Sequence, residues 1–206
     1  MNWNLENSFL CDEVRENFTC GTDEAGRGPL AGDVYAAAVI LPHGIEIDGL
    51  SDSKDLTEKR RDKLYDIIIE KAVSYSIQSA SIEEIQEINI LNASLLAMRR
   101  AVEGVAVKPD IVLIDGNIVR GFERFNVKNI IKGDTLSPNI AAASILAKVT
   151  RDRYMKKLDE IYPEYNFKQN KGYPTKEHIA AIRLYGESPV HRRSFLKKIL
   201  GGGDYN

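Results

Sequence analysis

Residues 18–41, FTCGTDEAGRGPLAGDVYAAAVIL, decide the architecture. Two runs, 18–22 and 34–41, are β-branched or small and apolar, and each reads as a strand. A glycine-rich bend joins them, with Asp23 and Glu24 ending the first run. Within it, Gly26-Arg27-Gly28-Pro29-Leu30-Ala31 formally matches a G-x-G-x-x-G/A dinucleotide fingerprint. That motif needs a helix N-terminus, and residues 34–41 read as a strand, so a dinucleotide-binding unit is rejected. Glycine on both sides of Arg27 still lets the backbone approach a ligand closely, with amide N–H groups free to point at it. A tight turn between strands would use the same spacing.

Working outward, residues 42–55 form a loop, and Asp55-Leu56-Thr57-Glu58 offers a capping-box start for a helix to about Lys71. Residues 74–79 alternate Tyr75 and Ile77 with polar residues, as in a half-buried strand. Ser81-Ile82-Glu83-Glu84 repeats the capping-box spacing, and helical periodicity follows through Ile85, Ile88, Leu91, Leu95, Met98 and Val102 to Gly104. The apolar run 111–114 fits an interior strand, and 127–131 is another. Pro138 opens a long helix to about residue 162, Ala-rich in its first half, and Thr175 caps a further helix to Leu184. Three early strands followed by alternating strands and helices argue for an α/β fold: a mixed sheet with helices on its faces.

A chain of 206 residues, at about 150 per domain, favours one domain with an appendage. Net charge is only −2, but residues 166–200 hold eight lysines and arginines against Glu177 and Glu187. That segment is therefore +6 and the remainder −8, a division that suits a metal site facing a phosphate backbone, or simply a solvated basic face. Two cysteines, Cys11 and Cys20, make a poor zinc site and fit a reduced compartment. The N-terminus lacks the order of a signal peptide, and the longest apolar run, 34–41, is too short to span a bilayer. The expectation is a cytoplasmic protein that makes no use of a membrane.

Four carboxylates stand in costly places. Asp23 and Glu24 end one strand, Asp115 ends the run 112–114, and Asp134 precedes the long helix. Buried acids are expensive unless something neutralises them, and neighbouring strands can gather their terminal residues at one edge. Clustered carboxylates are commonly resolved by a hard cation, Mg²⁺ or Mn²⁺, and a pair of such ions suits phosphoryl chemistry. Singly, Asp115-Gly116 also fits a turn and Asp134 a helix start. Tyr173, between Gly172 and Pro174, is placed to stack on a sugar or base, or to pack within a turn. His178 and His191 read as polar partners rather than metal ligands, and His43 carries no signal.

Together these segments resemble the bacterial type 2 ribonuclease H family, ribonuclease HII. The matching stretches are TDEAGRGPLAGDVYAAAVIL, GLSDSKDLTEKRR, PDIVLIDGN, IIKGDTLSPNIAAASILAKVTRDRYM, NKGYPTKEHIAAIRLYG and SPVHRRSF, in the family's order over about residues 21–195. The resemblance implies a ribonuclease H-like fold, a five-stranded mixed sheet flanked by helices. It divides the chain into a catalytic domain, 1–165, and a basic C-terminal helical extension, 166–206, packed on it. It places catalysis and the metal ligands on Asp23, Glu24, Asp115 and Asp134, with two ions, Mg²⁺ or Mn²⁺, as cofactors.

The implied activity is hydrolysis of the RNA strand of RNA–DNA hybrids, together with cutting 5′ of single ribonucleotides in duplex DNA. The ends left are 3′-hydroxyl and 5′-phosphate. Gly26, Arg27 and Gly28 would read the 2′-hydroxyl that separates RNA from DNA. Tyr173 would sense the DNA step at the junction, and Ser53, Lys54 and Lys148 would bind phosphates. Asn139 departs from the small residue usual in relatives at that position. Nothing in the sequence demands more than a monomer. The rival readings are a type 3 ribonuclease H, whose extra N-terminal domain has no room here, a resolvase indifferent to the 2′-hydroxyl, and a non-catalytic hybrid-binding module, for which four retained acids are a liability.

Overall fold

The computed structural model describes residues 3–8, 18–50 and 56–199. Among them five strands, β1 (Thr19–Ala25), β2 (Val34–Ile40), β3 (Ser74–Ala80), β4 (Ile111–Asp115) and β5 (Val127–Ile130), make one sheet in the order β3-β2-β1-β4-β5. The β3-β2-β1 half is antiparallel, and β4 and β5 run parallel to β1. The helices are α1 (Asn4–Asn7), α2 (Glu58–Lys71), α3 (Ile82–Glu103), α4 (Gly133–Leu136), α5 (Pro138–Ile161), α6 (Phe167–Asn170), α7 (Lys176–Tyr185) and α8 (Arg193–Ile199). The mixed sheet with helices on both faces is the fold class expected from the sequence.

A strand buried on both faces needs an unbroken apolar run, and β2 has one. Val34, Ala36, Ala38 and Ile40 join a core with Ala97, Met98 and Ala101 of α3. Ala37, Val39 and Leu41 face the other way, into a core with Leu64 and Ile68 of α2 and Ala141–Ala143, Ile145 and Leu146 of α5. Small residues let α5 press hard on the sheet. At Gly21 a Cβ would stand 2.2 Å from the Ile140 nitrogen, so β1 meets the first turn of α5 backbone against backbone. Leu113 and Ile111 of β4 pack on the same helix through Ile140.

Several starts follow the expected chemistry. Ser81 and Glu84 form the full capping box of α3, and Pro138 is the first residue of α5, capped by the Ser137 hydroxyl. Thr175 caps α7 by accepting the His178 N–H. The cap of α2 is Thr57, two residues later than the spacing predicts, its hydroxyl accepting from the Arg60 N–H. Asp55 lies outside the described residues. On β3 the buried side carries Ser74 and Ser76, whereas Tyr75 is exposed and Ile77 half-buried. This is an edge strand whose serine can satisfy main chain, as Ser74 does for the Ala106 N–H.

The C-terminal segment folds back on the body. Tyr165, Phe167, Ile182 and Leu196 share a core with Leu30, Ala31, Met155 and Leu158. One member of the expected basic face is not on the surface: Arg192 is fully buried. No helix among the described residues is long and apolar enough to cross a membrane.

Candidate active site

Parallel strands end at the same edge, and here an acid follows the last β1–β4 pair on each strand. The last paired residues are Thr22 and Ile114, so Asp23 and Asp115 follow side by side. By the alternation that sends Leu113 towards α5, both carboxylates leave on the α5 face. Asp23 is held by hydrogen bonds, its Oδ1 accepting the Glu24 N–H at 2.7 Å, with the Ser144 hydroxyl of α5 as a further partner. Asp115 Oδ1 accepts the Gly133 N–H at 2.7 Å, which joins β4 to the turn that carries Asp134.

The electrostatics follow from this crowding. Burial raises the Asp23 carboxyl well above its ordinary range, and the charges of Glu24 and Asp115 raise it further. Burial also raises Glu24, against the opposing pull of the Arg27 guanidinium 3.2 Å from its Oε1. Asp23, Glu24 and Asp115 thus share one field. Asp134 is buried on α4, one residue beyond the Gly133 that Asp115 holds.

A cleft of about 410 Å³ opens beside these acids, lined by Glu24, Gly26, Arg27, Gly28, Lys148 and Tyr173 among others. Six of the residues singled out in the sequence therefore converge on one surface. Ser53 and Lys54 fall outside the described residues. Lys148 lies one turn along α5 from Ser144, its ammonium paired with Asp152 at 2.6 Å. Tyr173 is 42% exposed, and its ring lies 3.5 Å from where a Cβ on Gly28 would stand. The Leu30 N–H donates to the Gly172 carbonyl at 2.7 Å, tying the two walls together.

The glycine bend takes its shape from two buried arginines that the sequence reading did not single out. Arg192 donates to the carbonyls of Gly26, Arg27, Pro29 and Gly32 at 2.8–3.2 Å. Arg151 donates to those of Ala31, Asp33 and Lys171. Gly26 has φ +107°, and a Cβ there would strike the Arg151 side chain at 2.2 Å, so glycine is required twice over. Burial and the neighbouring Arg151 push the Arg192 guanidinium down to about 9. Arg61, Ser144 and Ile145 also line the cleft without having carried a sequence signal.

A second polar knot sits behind Asp134. Ser137 donates to the buried Glu6 at 2.6 Å, and Asn139 donates to the same carboxylate at 3.4 Å while accepting the Leu41 N–H at 2.8 Å. Asn139, the departure noted in the sequence, is therefore a cross-tie between α1, β2 and α5.

Asp23, Glu24 and Asp115 are hard oxygen donors in mutual repulsion, the setting in which a divalent cation relieves the most strain. Among the described residues no group of three or more acidic, histidine or cysteine side chains is drawn together closely enough to hold a metal ion. Mg²⁺-type ions do not need such a group, since they take one or two carboxylates and keep waters or substrate phosphates. The donor set fits such an ion.

Comparison with known proteins places these features in company. Residues 20–198 match the model of the family described as ribonuclease HII. The ribonuclease HII of Marinomonas sp. (strain MWYL1) is 56% identical over 184 residues, covering 88% of this chain and 92% of its own. That of Caldicellulosiruptor bescii is 50% identical over 199 residues, 95% of this chain and 96% of its own. Among solved structures, the ribonuclease H2 of Pyrococcus horikoshii OT3 superimposes with a TM-score of 0.72 at 28% identity, covering 88% of this chain and 96% of that one. A ribonuclease HIII solved with Mn²⁺ shares the fold at a TM-score of 0.67 and 18% identity, over 91% of this chain and 70% of its own.

Proposed function

Because the chain belongs to the ribonuclease HII family, we propose that it is an endoribonuclease that hydrolyses the RNA strand of RNA–DNA hybrids and cuts 5′ of single ribonucleotides in duplex DNA, leaving 3′-hydroxyl and 5′-phosphate ends. The observation that carries this reading is the meeting of Asp23, Glu24 and Asp115 at adjoining strand ends, beside a cleft walled by Gly26, Gly28 and Tyr173. Asp23, Glu24, Asp115 and Asp134 would hold the cations. Two Mg²⁺ or Mn²⁺ ions, when bound, supply a nucleophilic water at neutral pH and neutralise charge on the leaving oxygen.

The chain's own groups do the reading. Main-chain carbonyls of the bend turn inward to Arg192 and Arg151, which holds the bend in one shape against the cleft. The close backbone approach at Gly26 and Gly28 gives a 2′-hydroxyl hydrogen-bonding partners that a deoxyribose cannot use. Tyr173, exposed and packed beside Gly28, stacks on the neighbouring deoxyribose. Lys148 meets a backbone phosphate, as do Ser53 and Lys54. In this reading residues 1–165 are the catalytic domain and 166–206 a basic extension on it, in a monomeric cytoplasmic enzyme.

The test is a DNA duplex carrying one ribonucleotide, incubated with Mg²⁺, Mn²⁺ or EDTA beside an all-DNA control. A metal-dependent nick immediately 5′ of the ribonucleotide, absent from the control, is expected. Cleavage confined to long RNA stretches would move the assignment to type 3-like specificity. Tight binding without any cut would leave a hybrid-binding module.

A further inference from the structure

His178 and His191 are both buried, on different segments, and their Nε2 atoms are 3.1 Å apart. The outer partners fix every proton. His178 Nδ1 lies 2.9 Å from the Tyr173 carbonyl, which can only accept, so that nitrogen carries hydrogen. His191 Nδ1 accepts the Ser188 N–H at 2.9 Å, so that nitrogen is bare, and the Ser188 hydroxyl is 2.8 Å from it. With both rings neutral, His191 Nε2–H must then donate to a bare His178 Nε2. One arrangement satisfies the whole chain: Ser188 to His191, His191 to His178, His178 to the Tyr173 carbonyl.

An added proton has no good place to go. On His178 Nε2 it would face the His191 N–H, and on His191 Nδ1 it would face the Ser188 N–H. The rings of Tyr165 and Phe167 pack against both imidazoles and offer them no counter-charge. The two ends of the chain also stand on opposite walls of the cleft. His191 belongs to the segment that pairs with Ala31 and leads into Arg192, which grips the carbonyls of Gly26 and Arg27. His178 grips the main chain of Tyr173.

We infer that the neutral His178–His191 pair is a positioning strut that sets Tyr173 against the glycine bend, and thereby sharpens recognition of a ribonucleotide–deoxyribonucleotide junction. This rests on the reading of Tyr173 as a substrate contact proposed above. Neither histidine touches substrate in this scheme; both act through the Tyr173 main chain.

The test compares cleavage of a duplex containing one ribonucleotide with cleavage of a hybrid whose cut strand is all RNA, which offers Tyr173 no deoxyribose in that strand to sense. His178→Ala removes the bond to the Tyr173 carbonyl and should lower cleavage at the lone ribonucleotide about tenfold, the worth of one buried hydrogen bond, with a much smaller loss on the all-RNA strand. His178→Asn, whose amide reaches the same carbonyl, should recover most of that loss. In a Tyr173→Ala background, His178→Ala should cost nothing more on the junction substrate. Imidazole nitrogen NMR of the parent protein at pH 7 should show hydrogen on His178 Nδ1 and on His191 Nε2 only.

Equal losses on both substrates, or a full additional loss in the Tyr173→Ala background, would reduce the strut to a folding element and overturn the inference. A charged ring or the opposite tautomers at pH 7 would overturn it even if His178→Ala did not fold. Tyr173→Ala behaving as the parent would instead remove the substrate role of Tyr173, and the strut's part in specificity with it.

Discussion

Arg192→Ala is the most exacting trial of how the glycine bend is held. The guanidinium is fully buried and makes four hydrogen bonds to main-chain carbonyls. Hydrogen bonds from a charged donor contribute about 1.5–3 kcal/mol each, so the gross loss is roughly 6–12 kcal/mol. Removing the charge also returns its burial penalty, several kcal/mol, which leaves a net destabilisation of about 3–5 kcal/mol. For a chain of this size each kcal/mol lowers the midpoint by about 2–4 °C, so thermal unfolding should shift down by roughly 6–20 °C. Arg192→Lys keeps the charge but offers one nitrogen in place of a fork, and should recover only part of the loss. Cleavage at a lone ribonucleotide, assayed well below both midpoints, should fall further than the folded fraction does, because the Gly26 and Arg27 carbonyls are no longer held. A midpoint for Arg192→Ala within about 2 °C of the parent would refute the claim that these carbonyls depend on Arg192.

Other perturbations probe separate parts. Asp134→Asn should abolish metal-dependent cleavage while leaving the unfolding midpoint nearly unchanged; since losing a group that only hydrogen-bonds a metal's ligand costs about 10–100-fold, losing a direct ligand should cost more, and retained activity would remove Asp134 from the mechanism. Gly21→Ala puts a methyl 2.2 Å from the Ile140 nitrogen, so about 3 kcal/mol of overpacking, some 6–12 °C in midpoint, is expected, and an unchanged midpoint would mean that β1 and α5 are not in main-chain contact. Burial and His178 push His191 down to about 4 from its ordinary 6.5. The folded state therefore favours the neutral ring, and its contribution, up to about 3 kcal/mol, is complete above pH 6.5 and lost as pH falls towards 4. The stability gap between parent and His191→Gln, from urea unfolding at several pH values, should close over that window; a constant gap would show that His191 does not titrate this way.

The elements best written in the sequence are those whose signal is local. The unbroken apolar run of β2, the capping box at Ser81 and the proline that opens α5 each follow from residues within a few positions of one another. Asp23, Glu24 and Asp115 stand out because acids at the ends of apolar strands are costly wherever the strands lie. What stayed hidden depends on distant main chain. Arg151 and Arg192 look like ordinary surface cations, since carbonyl acceptors leave no complementary residue type in the sequence. The relay from Ser188 to Tyr173 is invisible for the same reason. Asn89 breaks α3 with φ +65°, accepting from the Leu91 and Asn92 N–H groups, within a stretch whose apolar periodicity runs on undisturbed. Ser74 and Ser76 face inward because β3 is an edge strand, a place in the sheet that periodicity does not report.

The pairing of β1 with β4 joins segments far apart in the chain; Phe18 donates to the Asp110 carboxylate across 92 residues. Contacts of that separation are slow to form, because a long loop must close before they return any energy. The β1–β2 pair, by contrast, is joined by the short bend 26–33, and β3, although it follows α2, still lies within the first half of the chain. Asp23 and Glu24 are therefore expected to stand in an ordered strand before Asp115 arrives beside them through the β1–β4 pairing. On the role proposed for these acids, a chain stalled before β4 pairs holds only part of the set and is expected to leave nucleic acid uncut. Pulsed hydrogen exchange during refolding should find the amides of β4 protected after those of β2; protection of β4 first would reverse that order.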